Sequence, residues 1–197
     1  TEDRPAPPEA GKPCKERRDG GVKIYARIRP TAGEKSVRVV ERTRGDAVGW
    51  LRDQINATVI DYMRAIGIDY DVRWSIQGWP NVNRLGDYHD PHNHPRAYLS
   101  GTYYLKVPTG KEPMRNRADV RPSHITFYDP RPGINMTAIK GDPYVEPEFT
   151  VMPEPGLLMM WPSFLSHFIH PNLSKDTRVT VSFNIVLKWQ DHYLPSQ

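Results

Sequence analysis

The feature that most constrains the fold is a succession of short strand patterns separated by turn residues. After residue 70, apolar and polar residues alternate in short runs, and no helical period separates one run from the next. The runs interpreted as strands are 71–79, a segment around 88–94, 98–107, 123–128, 148–152, 156–161, 166–170 and 177–188. About eight such strands are typical of a jelly roll or double-stranded β-helix. Strands without intervening helices favour a sandwich or barrel over an α/β fold.

The first third of the chain has a different pattern. Residues 1–21 are rich in Pro, Glu and Arg, without periodicity, which predicts an N-terminal arm. Residues 22–29 alternate as a half-buried strand does, and residues 36–42 form a weaker strand candidate. Asp46 can cap a helix with apolar residues at spacings of three and four, ending at Gly67. We therefore expect one mainly β domain over residues 22–197, a cupin-like double-stranded β-helix with one long helix.

The last predicted strand has one polar and one apolar side. Polar side chains occupy alternate positions: Arg178, Thr180, Ser182 and Asn184. The apolar residues between them are expected to pack on the core or on the helix. In a barrel, the polar side would line a ligand-holding interior.

Histidines cluster in two distant parts of the chain. His89, His92 and His94 precede one predicted strand, and His167 and His170 precede the last strand. Because residues i and i+2 of a strand point to the same side, His92 and His94 can present two imidazoles to one metal, with a third from the distant segment. Imidazole suits zinc, copper, iron or nickel, whereas structural zinc normally uses cysteines.

Composition narrows the class of protein. Cys14 is the only cysteine, which excludes an intramolecular disulfide framework and fits a reducing compartment, so we expect a cytoplasmic protein. No apolar run is long enough to span a membrane. The net charge is +4 and its basic excess lies in the first 45 residues, but no nucleic-acid motif accompanies it. We expect neither a nucleic-acid nor a membrane partner, and the pattern does not indicate an oligomeric state.

Five ordered motifs support a closer interpretation. They are Pro-His-Asn-His-Pro at 91–95, Ser-Gly-Thr-Tyr-Tyr at 100–104, Phe-Tyr-Asp-Pro-Arg at 127–131, Pro-Ser-Phe-Leu-Ser-His at 162–167 and Ser-Phe-Asn at 182–184. Together they resemble one family of the non-haem Fe(II)/2-oxoglutarate oxygenase superfamily, over roughly residues 70–188. The resemblance implies a dioxygenase of the hydroxylase type that uses Fe(II), 2-oxoglutarate and O2. It would decarboxylate 2-oxoglutarate to succinate while oxidising an unidentified small molecule or peptide.

The resemblance also implies roles for individual residues. His92 and His167 match iron ligands, and Arg178 matches the arginine that pairs with the distal carboxylate of 2-oxoglutarate. A planar guanidinium suits that task because it binds a carboxylate through two parallel hydrogen bonds. Tyr104 and Thr180 could add hydroxyl donors to the same carboxylate. Substrate contacts are expected from a lid at residues 129–144, and the candidates there are Arg131 and Asn135.

One position departs from the superfamily pattern. His94 stands where most members have Asp or Glu, so a three-histidine site is expected, with Asp90 or Asp87 as the alternative carboxylate ligand. Cupin thiol dioxygenases also use three histidines but take no 2-oxoglutarate, and an enzyme of that type is the second hypothesis. Arg178 on a polar strand argues against it. A non-catalytic metal-binding jelly roll is the third hypothesis.

Overall fold

A computed structural model describes residues 25–27, 46–108, 120–131, 142, 145–190 and 193. Of the predicted strand at 22–29, only Tyr25–Arg27 is described. The predicted arm at 1–21, the strand candidate at 36–42 and residue 135 lie outside the described residues. The same holds for most of the predicted lid, of which 129–131 and 142 are described.

The described residues form one helix and two antiparallel sheets, as the sequence predicts. In chain order the elements are β1 (Tyr25–Arg27), α1 (Asp46–Ala65), β2 (Trp74–Asn83), β3 (His89–His92), β4 (Leu99–Lys106), β5 (Ile125–Tyr128), β6 (Glu148–Val151), β7 (Leu157–Pro162), β8 (His167–Ile169) and β9 (Arg178–Leu187). One sheet has the order β1-β7-β4-β9-β2 and the other β3-β8-β5-β6.

Two boundaries differ from the sequence prediction. The strand predicted at 71–79 begins at Trp74 and continues to Asn83, because β2 pairs with β9 along its whole length. The strand predicted around 88–94 ends at His92, so His94 is not part of it. Its pairing with β8 is also irregular between His89 and His92. The placing of His92 and His94 by simple strand alternation was therefore wrong.

Helix α1 covers one face of the five-stranded sheet. Its buried residues Ile55, Val59, Tyr62 and Met63 recur at helical spacing and form one core with residues from three strands. Those residues are Leu99, Tyr103, Leu158, Met160, Phe183 and Ile185. The helix ends where Gly67 takes a positive φ of 81°, a conformation that glycine adopts without steric cost.

A second core fills the space between the two sheets. It combines Tyr104, Met159 and Trp161 of the five-stranded sheet with Ile125 and Phe127 of the four-stranded sheet. Alternate residues of β9 thus face different environments. Phe183 and Ile185 join the helix side, and Arg178 and Thr180 are buried on the other side. The predicted division of the last strand into an apolar and a polar side is confirmed.

Gly101 provides a test of the helix-side packing. A Cβ atom there would lie 2.5 Å from the carbonyl oxygen of Met159 and closer still to the ring of Phe183. We expect Gly101→Ala to destabilise the protein by about 1–3 kcal/mol or more in urea unfolding, because this part of the core is already full.

Gly49→Ala is the matched control for that substitution. Nothing lies within 4 Å of a Cβ at Gly49, which is inside α1. Alanine should therefore stabilise the protein there by roughly 0.5–1 kcal/mol. Equal unfolding midpoints for the two variants would contradict this view of the packing.

None of the described helical residues forms a segment long and apolar enough to cross a membrane.

Candidate metal centre

Three imidazoles from two distant parts of the chain converge at one point. His92 and His167 are paired across β3 and β8, and their ring centroids are 4.3 Å apart. The ring of His94 lies 5.1 Å from that of His92 and 5.4 Å from that of His167. One potential ligand atom from each residue lies within 4.8 Å of the other two. The structure therefore brings together the three histidines that the sequence predicts as ligands.

Backbone carbonyls orient two of these rings. His92 donates Nδ1–H to the carbonyl of Asp90 at 2.5 Å, and His167 donates Nδ1–H to the carbonyl of Leu165 at 3.1 Å. A carbonyl can only accept a hydrogen bond, so the proton of each neutral ring lies on Nδ1 and the lone pair on Nε2. Histidines that bind metals through Nε2 commonly make such a bond with the other nitrogen.

Burial disfavours the charged form of two of the three rings. The pKa of His167 is lowered to about 3, first by burial and then by the neighbouring histidines. The pKa of His94 is lowered in the same way, by burial first and then by His92. Neutral imidazole is the form that binds a metal, so no proton has to be displaced from His167 or His94 at neutral pH.

Neither of the alternative carboxylates belongs to this cluster. Asp87 is exposed, and its carboxylate accepts the backbone N–H of Arg84 at 2.7 Å. Asp90 is also exposed, and it contributes its backbone carbonyl to His92. Within the part of the chain that the structure describes, the group able to hold a metal comprises His92, His94 and His167.

Arg178 is a buried cation with an unused donor. Only 1% of the residue is exposed. Its Nη1 donates to the carbonyl of His170 at 3.1 Å, and its buried Nη2 has no acceptor among the described residues. A buried guanidinium without a carboxylate partner is costly, so this site suits a bound anion.

Tyr104 and Thr180 lie beside Arg178, as predicted. They face each other across β4 and β9, and both are buried. Burial raises the pKa of the Tyr104 phenol, and the charge of Arg178 opposes this only in part. The phenol therefore stays protonated and can donate a hydrogen bond.

Arg178 donates to the backbone carbonyl of His170, and the ring of His170 is itself held by hydrogen bonds. Its Nδ1 accepts the backbone N–H of Arg121 at 3.0 Å, and its Nε2 lies 2.8 Å from the hydroxyl of Thr126. Because Nδ1 accepts, the neutral ring carries its proton on Nε2 and donates it to Thr126. These hydrogen bonds fix His170 and, with it, the backbone carbonyl to which Arg178 donates.

A pocket opens beside the three imidazoles. Its lining contains residues of both sheets: Trp79, His89, His92, His94, Gly101, Thr102, Trp161, His167, Ile169, Ser182 and Phe183. Hydrogen bonds join its polar wall, since Asn81 donates to Ser182 at 2.8 Å and the hydroxyls of Thr102 and Ser182 lie 3.2 Å apart. Ser182, on the polar side of β9, thus lines the pocket.

Two of the lining residues that were not predicted as site residues lie next to the candidate ligands. His89 is half-buried, its ring centroid is 6.2 Å from that of His92, and its pKa is lowered by burial and then by His92 and Arg178. It therefore lies near enough to both the imidazole cluster and the guanidinium to be affected by them. Trp161 packs against His167, with ring centroids 4.9 Å apart. The sequence motif that ends at His167 begins at Pro162, directly after Trp161. This adjacency is the signal from which Trp161 could have been predicted as a site residue.

The predicted substrate residues are less well supported. Arg131 forms an ion pair with Asp129 at 2.8 Å and does not line the pocket. Asn135 lies outside the described residues. The substrate role of both remains a prediction.

Comparison with known proteins gives one family and several solved structures of similar fold. The model of a family described as "Putative 2OG-Fe(II) oxygenase" matches residues 77–184, which is more than half of the chain. No curated protein matches. A solved prolyl-4-hydroxylase from Pseudomonas putida is similar in structure, with 12% identity and a TM-score of 0.51, over 76% of this chain and 71% of that chain. A 2OG-Fe(II) oxygenase family protein from Burkholderia pseudomallei gives 8% identity and a TM-score of 0.49, over 74% and 59% of the two chains.

Proposed function

Because the chain belongs to the 2OG-Fe(II) oxygenase family, we propose that His92, His94 and His167 hold its Fe(II) and that Arg178 anchors its 2-oxoglutarate. Tyr104 and Thr180 complete the proposed co-substrate site. The enzyme is an oxygenase that requires Fe(II), 2-oxoglutarate and O2. The observation that carries the assignment of residues is a three-imidazole cluster together with a buried guanidinium that has an unused donor, and His89 lies near enough to both for His92 and Arg178 to lower its pKa.

The donor set fits Fe(II). Three neutral imidazole nitrogens suit iron, and they leave coordination positions open for a chelating 2-oxo acid and for O2. His92 and His167 already have the tautomer that presents Nε2. Since histidine replaces the usual carboxylate, the site carries one more positive charge than the common facial triad, and an anionic co-substrate compensates for it.

The guanidinium fits the distal carboxylate of 2-oxoglutarate. Nη1 of Arg178 is used by a protein carbonyl, and Nη2 remains for the ligand. Tyr104 can add a phenol donor and Thr180 a hydroxyl, and both come from strands that flank Arg178. This burial favours 2-oxoglutarate over the second hypothesis, because a dioxygenase without an anionic co-substrate would leave the arginine unpaired.

When bound, iron and 2-oxoglutarate supply the oxidative chemistry, in which succinate and CO2 form and an oxygen atom reaches the substrate. The protein holds the metal through neutral rings, pairs the distal carboxylate and keeps bulk water out of a largely buried pocket. Aromatic side chains of Trp161 and Phe127 surround His167 and limit its movement.

The sheet order supports a double-stranded β-helix. Of strands β2–β9, β2, β4, β7 and β9 lie in one sheet and β3, β5, β6 and β8 in the other, so the chain changes sheet at every step except from β5 to β6. Two facing four-stranded sets of this kind form a jelly roll. We assign residues 22–197 to this one domain, with residues 1–21 as its N-terminal arm.

The activity is tested by incubating the Fe(II)-loaded protein with 2-oxoglutarate and O2 and measuring succinate. We expect succinate formation that depends on both iron and 2-oxoglutarate. Adding an extract of metabolites and peptides, followed by mass spectrometry, should then identify a product that has gained one oxygen atom. No iron-dependent succinate under any condition would contradict the proposed function.

His94 is expected to be the third ligand. His94→Ala should weaken Fe(II) binding roughly 100-fold, because it removes one of three ligands. His94→Asp should retain iron, since it recreates the common facial triad. Asp90→Ala is the control and should keep both iron and succinate formation, because only its backbone carbonyl contacts the cluster. Anaerobic Fe(II) titration measures all three variants. Loss of iron in Asp90→Ala, with His94→Ala unaffected, would assign the ligand to the carboxylate instead.

A further inference from the structure

Two buried side-chain donors lack an acceptor among the described residues, and the proposed function uses only one of them. The first is Nη2 of Arg178 and the second is Nε1 of Trp161. Trp161 is 6% exposed and lines the pocket that contains the three histidines. Leaving a buried N–H without an acceptor is unfavourable by about the desolvation energy of the group.

Packing does not account for an indole at this position. The ring makes edge-to-face contacts with Phe127 at 5.0 Å and with His167 at 4.9 Å between centroids. A phenyl ring could make both contacts without burying an unpaired N–H. By contrast, the indole of Trp74 donates to the side chain of Asn56 at 2.9 Å. The unpaired N–H of Trp161 therefore suggests a partner that is bound in the pocket.

Trp161 lies far from Arg178 along the five-stranded sheet. It pairs with Ser100, and Ser100 pairs with Asn184, which is six residues after Arg178 on β9. Six residues of strand span roughly 20 Å, so Trp161 and Arg178 cannot hold the same carboxylate. The ring of Trp161 is instead in contact with the ligand candidate His167.

We infer that Nε1–H of Trp161 donates a hydrogen bond to the carboxylate beside the 2-oxo group of the co-substrate. This inference rests on the proposed function, which places the 2-oxo end at the histidines and the distal carboxylate at Arg178. A dicarboxylate has an anionic group at each end, and each end then meets one of the two unused donors. Trp161 is on this account a binding residue that helps to select a 2-oxo acid.

Trp161→Phe tests the inference because it keeps the ring and removes the N–H. We expect the variant to bind 2-oxoglutarate about 10- to 100-fold more weakly in anaerobic calorimetry with Fe(II), the range for one charge-assisted hydrogen bond. Fe(II) affinity without 2-oxoglutarate should not change. The Tm of the ligand-free variant should be equal to or higher than that of the wild type, because no N–H is left unpaired.

Trp74→Phe is the matched control. It removes an indole N–H that is paired with Asn56 outside the pocket. It should lower the Tm and leave the affinity for 2-oxoglutarate unchanged. Trp161→Phe is thus expected to lower the affinity without lowering the Tm, and Trp74→Phe to lower the Tm without changing the affinity. A purely structural role of Trp161 would not produce this contrast.

A ligand without the distal carboxylate identifies the end that Trp161 contacts. For 2-oxopentanoate, Trp161→Phe should cause the same proportional loss as for 2-oxoglutarate. Affinity of Trp161→Phe for 2-oxoglutarate within twofold of the wild type would overturn the inference, and an ordered water would then be the partner of the N–H. A loss for 2-oxoglutarate alone would overturn the assignment to the 2-oxo end. Failure of the wild type to bind 2-oxoglutarate would instead reject the proposed function.

Discussion

Replacing Arg178 with methionine is expected to weaken 2-oxoglutarate binding by about two to three orders of magnitude. Losing one partner of a buried, hydrogen-bonded charge pair typically costs about 3–5 kcal/mol, and the ligand carboxylate would be left without its cation. Fe(II) binding should be retained, because Arg178 is not part of the imidazole cluster. Calorimetry with iron present and O2 excluded measures the affinity directly.

The same substitution should stabilise the protein when no ligand is present. The guanidinium is buried with Nη2 unpaired, so methionine relieves a desolvation penalty of about 1–3 kcal/mol while filling a similar volume. Weaker ligand binding together with a higher unfolding free energy is the expected signature of an arginine held for a ligand. Arg73→Met is the control, since Arg73 is exposed and pairs with Asp71. Unchanged affinity in Arg178→Met would show that the co-substrate pocket is elsewhere.

Removing the buried His167, a proposed ligand, is expected to abolish stoichiometric Fe(II) binding. His167 is 2% exposed, is paired with His92 and presents Nε2 to the cluster. Its loss leaves two imidazoles, which should reduce the affinity by roughly 100-fold or more. Metal analysis after equilibration with Fe(II) gives the stoichiometry, and circular dichroism establishes that the variant is folded.

His124→Ala is the control for this experiment. His124 is close to the same sheet, but its ring bonds to the carbonyl of Pro122 and it does not belong to the three-histidine group. It should bind one Fe(II) per chain. Full iron occupancy in a folded His167→Ala variant would contradict the proposed ligand set.

Local sequence patterns were sufficient to predict most of the fold. The spacing of Ile55, Val59 and Tyr62 predicts the buried face of α1, and the alternation along β9 separates its helix side from its pocket side. These patterns are informative because each element has one buried face, so its period appears in the chain. The convergence of His92 and His167 could also be anticipated, but from the motifs and not from the period.

The arrangement within the pocket could not be predicted in this way. His94 follows the end of β3, and its approach to His92 depends on the turn and on its backbone bond to Ser163 at 2.9 Å. The absence of an acceptor for Trp161 is a property of its tertiary neighbours within the described residues. Neither fact has a local signature, because each depends on which distant groups meet the side chain.

The position of β3 has a kinetic consequence for a metal held as proposed. Among the described strands, β3, which has four residues, lies at the edge of its sheet and pairs with β8, whereas β8 is paired on both sides. An edge strand can separate without breaking the rest of the sheet, so its local opening free energy is lower than that of the interior strands. Metal exchange should then follow detachment of β3, which carries His92 and leads to His94. Iron would leave far faster than the protein unfolds, and bound iron would slow amide exchange in β3 more than in β4.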